Sequence, residues 1–464
     1  METQTNNKFG NWIKKSITAR MLMVGFLTLV LIIPLSFIES LITERSYRKV
    51  EVINEINEKW GNSVVLSGPI LKIPYKAYTE IIRFDQKTGE STKEQETHIK
   101  LLYLLPEKLS IDSEVEAQQK NRSIYSTTVF NSSMKCNGTF SKPDFTKWDI
   151  KEEDVVWDKA SVIINTSNLK GIRNEVKINF NGSNYSFVPK YKTPTKNYDG
   201  YSPYEERITM QQLESEYLKP ESAPIDSSVN FSFDFNVNGS QQVSFVPLGK
   251  ETKVTMKSNW TSPNFFGNFL PVNNEEDRVN ENGFNADWEI LQINRQFEQH
   301  FFDTLPDLSE FAFGVKLIVP VDEYQKSERT AKYGFLVIAL TFLVFFLIQT
   351  LSKINIHPFQ YLMIGLALTM FYTLLISITE HSSYLTAYLI AGSAVVVLIS
   401  LYSKSILKNI KFPLFIGASL TALYAFIFVI IQLESYALLV GSIGLFFILS
   451  IVMYFSRKID WQND

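Results

Sequence analysis

The chain has 464 residues, is 45% apolar and 14% aromatic, and balances 45 basic against 48 acidic side chains. That balance, without a basic patch interleaved with aromatic residues, argues against a nucleic-acid partner. The single cysteine, Cys136, excludes an intrachain disulfide and any C-x-x-C metal or redox site.

Six uncharged apolar stretches predict membrane-spanning helices, because each approaches the roughly 20 residues that cross a bilayer. They cover residues 21–38, 333–351, 359–378, 384–402, 413–433 and 436–455. The first contains Pro34 and is either a cleaved signal peptide or a retained anchor. No small-x-small cleavage site follows it, which favours the anchor.

Basic residues alternate between the segments that flank these stretches, which predicts the orientation of the chain. Lys14, Lys15 and Arg20 precede the first span, and a cluster at Lys404, Lys408 and Lys411 follows the fourth. The intervening short loops carry Glu380, His381 and Glu434 and no Lys or Arg. By the positive-inside rule we expect both termini in the cytoplasm and residues 39–332 outside it.

The segment between the first two spans begins with a helical pattern. Tyr47, Val50, Ile53, Ile56 and Trp60 recur at three- and four-residue spacing, and Gly61 follows as a stop signal. We expect this stripe to pack on its own domain rather than to bind a partner.

Period-two alternation further along predicts antiparallel strands. Residues 229–237 alternate and run into Asn238-Gly239, and residues 176–180 run into Asn181-Gly182. Asn-Gly favours the two-residue turn of a hairpin, so both sites predict hairpins, and Asn137-Gly138 is a third, weaker turn signal. The segments "NGSNYSFVP" and "NGSQQVSFVP" are similar in sequence, which reflects either the duplication of a hairpin or chance. The predicted fold is a helical membrane bundle with a β-rich, mostly antiparallel (α+β) domain that has helices at its two ends.

No constellation in the chain points to catalysis. None of the four histidines lies near a nucleophile-elbow motif, and the H-E-x-x-H, phosphate-loop and dinucleotide motifs are absent. The acidic runs "IKEEDVVWDK" and "VNNEEDR" are typical of solvated loops. We therefore expect no enzyme, no cofactor and no metal site.

Glu380 and His381 are the polar residues that stand out beside the membrane. They lie between the third and fourth spans, and Glu434 occupies the other outer turn. Two interpretations remain open: a solvated turn, or a titratable pair that faces a cavity, in which His381 titrates near neutral pH. Ser377 and Gln360 are the other polar candidates in the bundle.

Long motifs resemble the CreD family of inner membrane proteins over almost the whole chain. The stretches "WTSPNFFGNFLP" and "GFNADWEILQINR" are similar to its outer-domain motifs, and "FGVKLIVPVDEYQKSERTAKYGFLVIALTF" to its approach to the second span. The residues that the resemblance singles out are Trp260, Pro263, Phe265, Gly267, Pro271, Gly283, Phe284, Trp288, Tyr324, Arg329, Lys332 and Tyr333.

The resemblance implies a place and a process: a bacterial inner-membrane protein of cell-envelope integrity or stress tolerance. Expected partners are membrane lipids and an unidentified envelope protein. The alternative is a transporter or lipid-handling channel built by the last five spans, and the absence of a cytoplasmic output domain disfavours a sensor. The expected domains are residues 1–20 (cytoplasmic), 21–38 (first span), 39–332 (extracytoplasmic), 333–455 (five-helix bundle) and 456–464 (cytoplasmic tail).

Overall fold

The computed structural model describes residues 16–84, 91–191, 209–223, 227–319, 323–352, 354–407, 410–433 and 436–457. The chain divides into two units. We call Met1–Glu51 with Val321–Asp464 the helical unit and Val52–Pro320 the strand unit. The expected mixture of apolar helices and a β-rich region is confirmed.

The helices of the described residues are α1 (Ile17–Val30), α2 (Ile32–Trp60), α3 (Glu275–Arg278), α4 (Glu323–Lys332), α5 (Gly334–Leu351), α6 (Pro358–Thr379), α7 (Tyr384–Ile406), α8 (Lys411–Gln432) and α9 (Ala437–Ser456). Among those residues, six helical segments are long and apolar enough to cross a membrane, with α1 and α2 together forming the first. The ends of the last five lie close to those that composition predicts, whereas the first continues well beyond the predicted end at Ile38, to Trp60.

The first helical segment is interrupted at Leu31. Pro34 has no amide hydrogen, so the carbonyl of Val30 loses its helical partner and the helix breaks before Pro34. The amide of Leu35 then bonds to the carbonyl of Leu31 at 3.3 Å, and α2 continues to Trp60.

The end of α2 at Gly61 is confirmed, but the apolar stripe of its last turns is not continuous. Gly61 has φ +137°, a conformation that ends a helix readily only with glycine. Tyr47 and Val50 are 73% and 53% exposed. The boundary between the two units falls after Glu51, so the apolar residues of the stripe do not all belong to one unit. The prediction that the stripe packs on its own domain is wrong for Tyr47 and Val50.

The strands of the described residues are β1 (Val64–Phe84), β2 (Ser91–Leu104), β3 (Lys108–Arg122), β4 (Tyr125–Phe140), β5 (Ser161–Thr166), β6 (Lys177–Phe180), β7 (Ser183–Lys190), β8 (Gln211–Ser215), β9 (Val229–Ser240), β10 (Gln242–Phe245), β11 (Glu251–Ser258), β12 (Pro263–Phe266), β13 (Val279–Asn280), β14 (Gly283–Leu291), β15 (His300–Phe302) and β16 (Phe313–Leu317). They follow the order β12-β16-β10-β1-β5-β8-β7-β6-β9-β4-β3-β11-β14-β13, with β2 and β15 attached beside β1. Pairing is antiparallel apart from β1 with β10 and β3 with β11 among the described pairs.

The two Asn-Gly hairpin predictions have opposite outcomes. Asn181 and Gly182, with φ +51° and +83°, form the tight turn between β6 and β7, so that hairpin is confirmed. Asn238 and Gly239 instead lie inside β9, and the chain turns at Gln241. Strand β10 then pairs with β1 and β16, so the second hairpin is wrong, and the two similar segments do not form the same structure.

Close packing explains the glycines that lie inside strands. A Cβ added at Gly239 would meet the Phe130 ring at 2.3 Å, and one at Gly138 would meet the Lys108 carbonyl oxygen at 2.0 Å. Asn137 and Gly138 accordingly lie within β4, and the third turn signal is also wrong. At both sites the missing side chain lets a neighbouring strand or ring approach the backbone closely, and the glycine does not form a turn.

Candidate functional site

Helix α4 brings polar side chains against the ends of the bundle helices. Its buried residues are Tyr324, Ser327, Thr330 and Ala331, and it packs on α6, α7 and α8. Glu323 at its first position accepts a 2.9 Å hydrogen bond from the backbone amide of Tyr384. The carboxylate therefore binds the first turn of α7, where a helix dipole favours negative charge.

Tyr384 is held at both ends by α4. Its hydroxyl lies 2.6 Å from the Thr330 hydroxyl, and the Lys326 Nζ lies 5.9 Å from its ring centroid. The side chain is buried. Because its amide, ring and hydroxyl all contact α4, Tyr384 fixes the segment before the second span to the start of the fourth.

Glu380 caps the end of α6 and forms an ion pair with Arg45 of α2. The Arg45 Nη1 and Glu380 Oε1 atoms are 3.6 Å apart, and the Glu380 side chain is only 18% exposed. Its neighbour His381 is exposed, and its backbone amide bonds to the Ile378 carbonyl. The two residues therefore have different environments, and the structure does not bring them into one buried pair.

The two other candidates that the structure describes, Ser377 and Gln360, lie near opposite ends of α6. Ser377 is exposed on α6. Gln360 lies in the first turn of α6, where its Oε1 accepts from the His357 amide at 2.9 Å in a capping box. Gln360 and Glu380 therefore lie about 30 Å apart along α6, whereas Ser377 lies one turn before Glu380. Glu434 lies outside the described residues.

An aromatic cluster extends from Tyr384 into the bundle. Phe371 lies 5.2 Å from Tyr388 and 4.5 Å from Tyr424 between ring centroids. The Tyr388 hydroxyl donates to the Tyr424 carbonyl at 2.8 Å. Sequence reasoning missed this cluster, although the four-residue spacing of Tyr384 and Tyr388 in "SSYLTAYL" was a signal for one helix face.

The motif residues that precede the second span differ in their exposure to solvent. Tyr324 is buried, and the Lys49 Nζ lies 5.8 Å from its ring centroid. Arg329 is exposed, and Lys332 pairs with Glu328 at 2.9 Å on the surface of α4. Tyr333 separates α4 from α5.

An apolar cavity of about 810 Å³ lies among α5, α8 and α9. Lys411 at the start of α8 and Ser352 at the end of α5 are polar residues in its lining. The hydroxyl of Thr341, which also lines it, is buried without a hydrogen-bond partner. The cavity offers space for a hydrocarbon chain of lipid size.

The motif residues of the strand unit meet in one aromatic cluster. Phe265 of β12 contacts Phe284 and Trp288 of β14 at centroid distances of 5.9 and 6.0 Å. Trp288 also lies 5.6 Å from Phe313 of β16. Since β12 and β14 lie near opposite ends of the strand order, these rings close the sheet on itself and give it a barrel-like form.

Hydrogen bonds and glycines hold this cluster in place. The indole nitrogen of Trp260 donates to the Ile318 carbonyl at 3.0 Å, and that of Trp288 to the Phe269 carbonyl at 3.2 Å. Gly283 has φ +135°, and a Cβ there would lie 1.9 Å from the Ser258 carbonyl oxygen.

The other motif positions flank the same rings. Gly267 has φ +93°, and a Cβ there would lie 2.6 Å from the Ala312 carbonyl oxygen. Pro263 begins β12 opposite Leu317, and Pro271 is buried. The arrangement gives the motif residues a packing role.

Metal and thiol chemistry have no assembled site in the part of the chain that the structure describes. No group of three or more His, Cys, Asp or Glu side chains there could hold a metal ion. Cys136 is fully buried in β4, and burial, with Asp234 and Asp112 nearby, raises the pKa of its thiol.

Comparison with known proteins places the chain among inner membrane proteins. Residues 16–462 match a family model described as inner membrane protein CreD. The chain is also 27% identical to the inner membrane protein CreD of Escherichia coli K12 over 441 residues, which cover 93% of this chain and 91% of that protein.

Proposed function

This chain belongs to the CreD family and is a multi-pass protein of the bacterial inner membrane, and from that premise we propose that it supports cell-envelope integrity or stress tolerance. The proposed mode of action is non-enzymatic contact between the strand unit and an envelope partner. The proposed orientation places both termini in the cytoplasm and the strand unit outside the membrane, as the alternation of basic loops favours.

The observation that carries this proposal is a two-stranded ribbon in the strand unit. We define the ribbon as residues 76–84 of β1 and 91–99 of β2, which pair with each other from Lys76–Ile99 to Phe84–Ser91. Among the described residues neither strand has a further strand neighbour over this length. Isolated two-stranded ribbons are marginally stable in water, and their open edges are templates for partner binding.

One face of the ribbon carries exposed apolar side chains. Ile82 and Ile99 are 64% and 60% exposed, and the register places both on the same face as Tyr78. The Tyr78 hydroxyl donates to Asp154 at 2.6 Å and holds the base of the ribbon. The same face also carries the exposed Glu80–Lys93 ion pair, so an extended segment of an envelope protein with both apolar and polar side chains fits it.

A complementation experiment tests the contact. In a deletion strain, the chain with Ile82→Ser and Ile99→Ser is expected to reach normal membrane abundance but to leave the cells detergent-sensitive. The matched control is Thr79→Ala with His98→Ala, which alters the opposite face of the same ribbon and should restore tolerance. Full restoration by the isoleucine variant would exclude the ribbon as the contact surface.

The cavity among α5, α8 and α9 favours one alternative, a lipid-handling bundle. In the same strain, Ser419→Phe fills the cavity, whereas Ala418→Phe adds the same ring outside its lining. Lipid handling predicts loss of tolerance only in the first variant. Glu380→Gln and His381→Ala then report whether the membrane edge takes part, because loss of tolerance in variants of normal abundance would give one of these residues a functional role.

A further inference from the structure

Arg295 is a buried cation in the strand unit, at the end of the motif "GFNADWEILQINR". It follows β14 and a short turn, and the residue is only 7% exposed. Its Nη2 donates to the Gln299 Oε1, and the guanidinium lies 4.3 Å over the Phe297 ring. The Gln299 Nε2 donates to the Pro106 carbonyl at 2.6 Å, which fixes the amide so that its oxygen faces Arg295.

Most of the hydrogen-bonding capacity of Arg295 is unused. Its Nε and Nη1 are buried without a hydrogen-bond partner, and no carboxylate forms an ion pair with it among the described residues. Burial alone lowers the pKa of Arg295 to about 10. An unpaired buried charge is strongly unfavourable, and proteins normally satisfy such groups with a partner or a bound ion.

A shallow cavity of about 660 Å³, open to solvent, lies beside Arg295. Gln292 and Gln296 line it together with Lys250, whose Nζ already pairs with Glu107 at 3.0 Å. Leu291 and Ile293 of the lining are 48% and 89% exposed. The lining thus combines the partly unsatisfied Arg295 with two glutamines, the charged residues Lys250 and Glu298, and an apolar rim.

We propose that this cavity binds an oxyanion, a carboxylate or a phosphate, carried on a short apolar chain, with Arg295 as the recognition residue. A guanidinium presents planar N–H donors that match both groups. Leu291 and Ile293 contact the apolar part. Glu298 is the acidic residue among the lining residues, and its carboxylate opposes anion binding.

Calorimetric titration of the full-length chain in phosphatidylcholine nanodiscs tests this site. The probes are hexanoate and hexyl phosphate, with hexanol as the uncharged control. Both anions are expected to bind and hexanol is not, and the tighter of the two identifies the ligand as a carboxylate or a phosphate. Arg295→Met should weaken anion binding at least about tenfold, the order expected for a charged hydrogen bond.

Three further variants separate recognition from packing. Arg173→Met removes an exposed arginine of the same unit and should leave binding unchanged. Arg295→Lys keeps the charge without the planar donors and should bind more weakly than the parent chain. Glu298→Gln should strengthen binding of both anions.

Unfolding temperatures complete the test. Without ligand, Arg295→Met is expected to unfold no lower than the parent, because it removes an unpaired buried charge. Absence of anion binding to the parent chain, or equal binding to Arg295→Met, would overturn the proposal. If Arg295→Met unfolds at a lower temperature than the parent chain and also binds no anion, Arg295 would be assigned to packing alone.

Discussion

At the scale of single residues, the clearest electrostatic feature is a buried ion pair in the strand unit. The Lys72 Nζ lies 2.8 Å from the Glu214 Oε1, and the Ser161 hydroxyl donates to the same oxygen at 2.7 Å. Burial acts to raise the pKa of Glu214, but the hydrogen bonds from Lys72 and Ser161 outweigh it and the pKa lies below its usual value. The carboxylate therefore stabilises the fold above its unfolded-state pKa, and this contribution is lost as the pH falls through the folded-state pKa.

Lys72→Met should destabilise the strand unit at neutral pH by about 1–3 kcal/mol, because it leaves a buried carboxylate without its charged donor. The difference should shrink near about pH 4, because the unfolded chain binds a proton at the ordinary glutamate pKa there, whereas the paired Glu214 of the parent chain stays ionised. Pulse proteolysis of the full-length chain in urea at both pH values measures it. Lys93→Met, which breaks an exposed pair with Glu80, should change stability by less than about 0.5 kcal/mol. An equal loss at both pH values would contradict the electrostatic explanation.

At the scale of elements, β9 shows how alternation creates the core of the strand unit. Phe231, Phe233 and Phe235 are buried, whereas Ser232 and Asp234 between them are exposed. The strand pairs with β4 on one side and β6 on the other. Because side chains alternate between the two faces of a strand, every second residue of β9 points into the core. A charge on that face cannot reach solvent by a local adjustment.

Phe233→Asp should therefore unfold the strand unit. Removal of a buried ring alone costs about 3–5 kcal/mol, and the unpaired carboxylate adds to that cost. Limited proteolysis of membranes that contain the variant measures the loss, and Ser232→Asp on the exposed face is the control. A protease-resistant Phe233→Asp chain would show that the strand tolerates the charge.

At the scale of the whole molecule, orientation remains a prediction from charge. His381 is exposed between α6 and α7, and Ser405 is exposed near the end of α7. His381→Cys should react with a membrane-impermeant maleimide on intact spheroplasts, whereas Ser405→Cys should react only after permeabilisation. The native Cys136 is buried and should give little background. The reverse labelling pattern would invert the proposed topology.

Several structural elements of this protein can be predicted from the local sequence alone. The six apolar helical segments follow from composition, because a bilayer-length run of uncharged residues needs no distant partner to be recognised. The stop at Gly61 and the turn at Asn181-Gly182 follow from backbone conformations that few other residues adopt.

Only the tertiary structure decided which distant residues meet. Asn238-Gly239 has the same turn signal as Asn181-Gly182, yet it stays in a strand because Gly239 packs against Phe130. Glu380 looked like a partner for His381, but it pairs with Arg45, more than three hundred residues away in the chain. Likewise, nothing local marks Arg295 as buried. Periodicity predicts which face of a strand is buried, as in β9, but it does not identify the distant segment that packs against that face, because those segments come together only on folding.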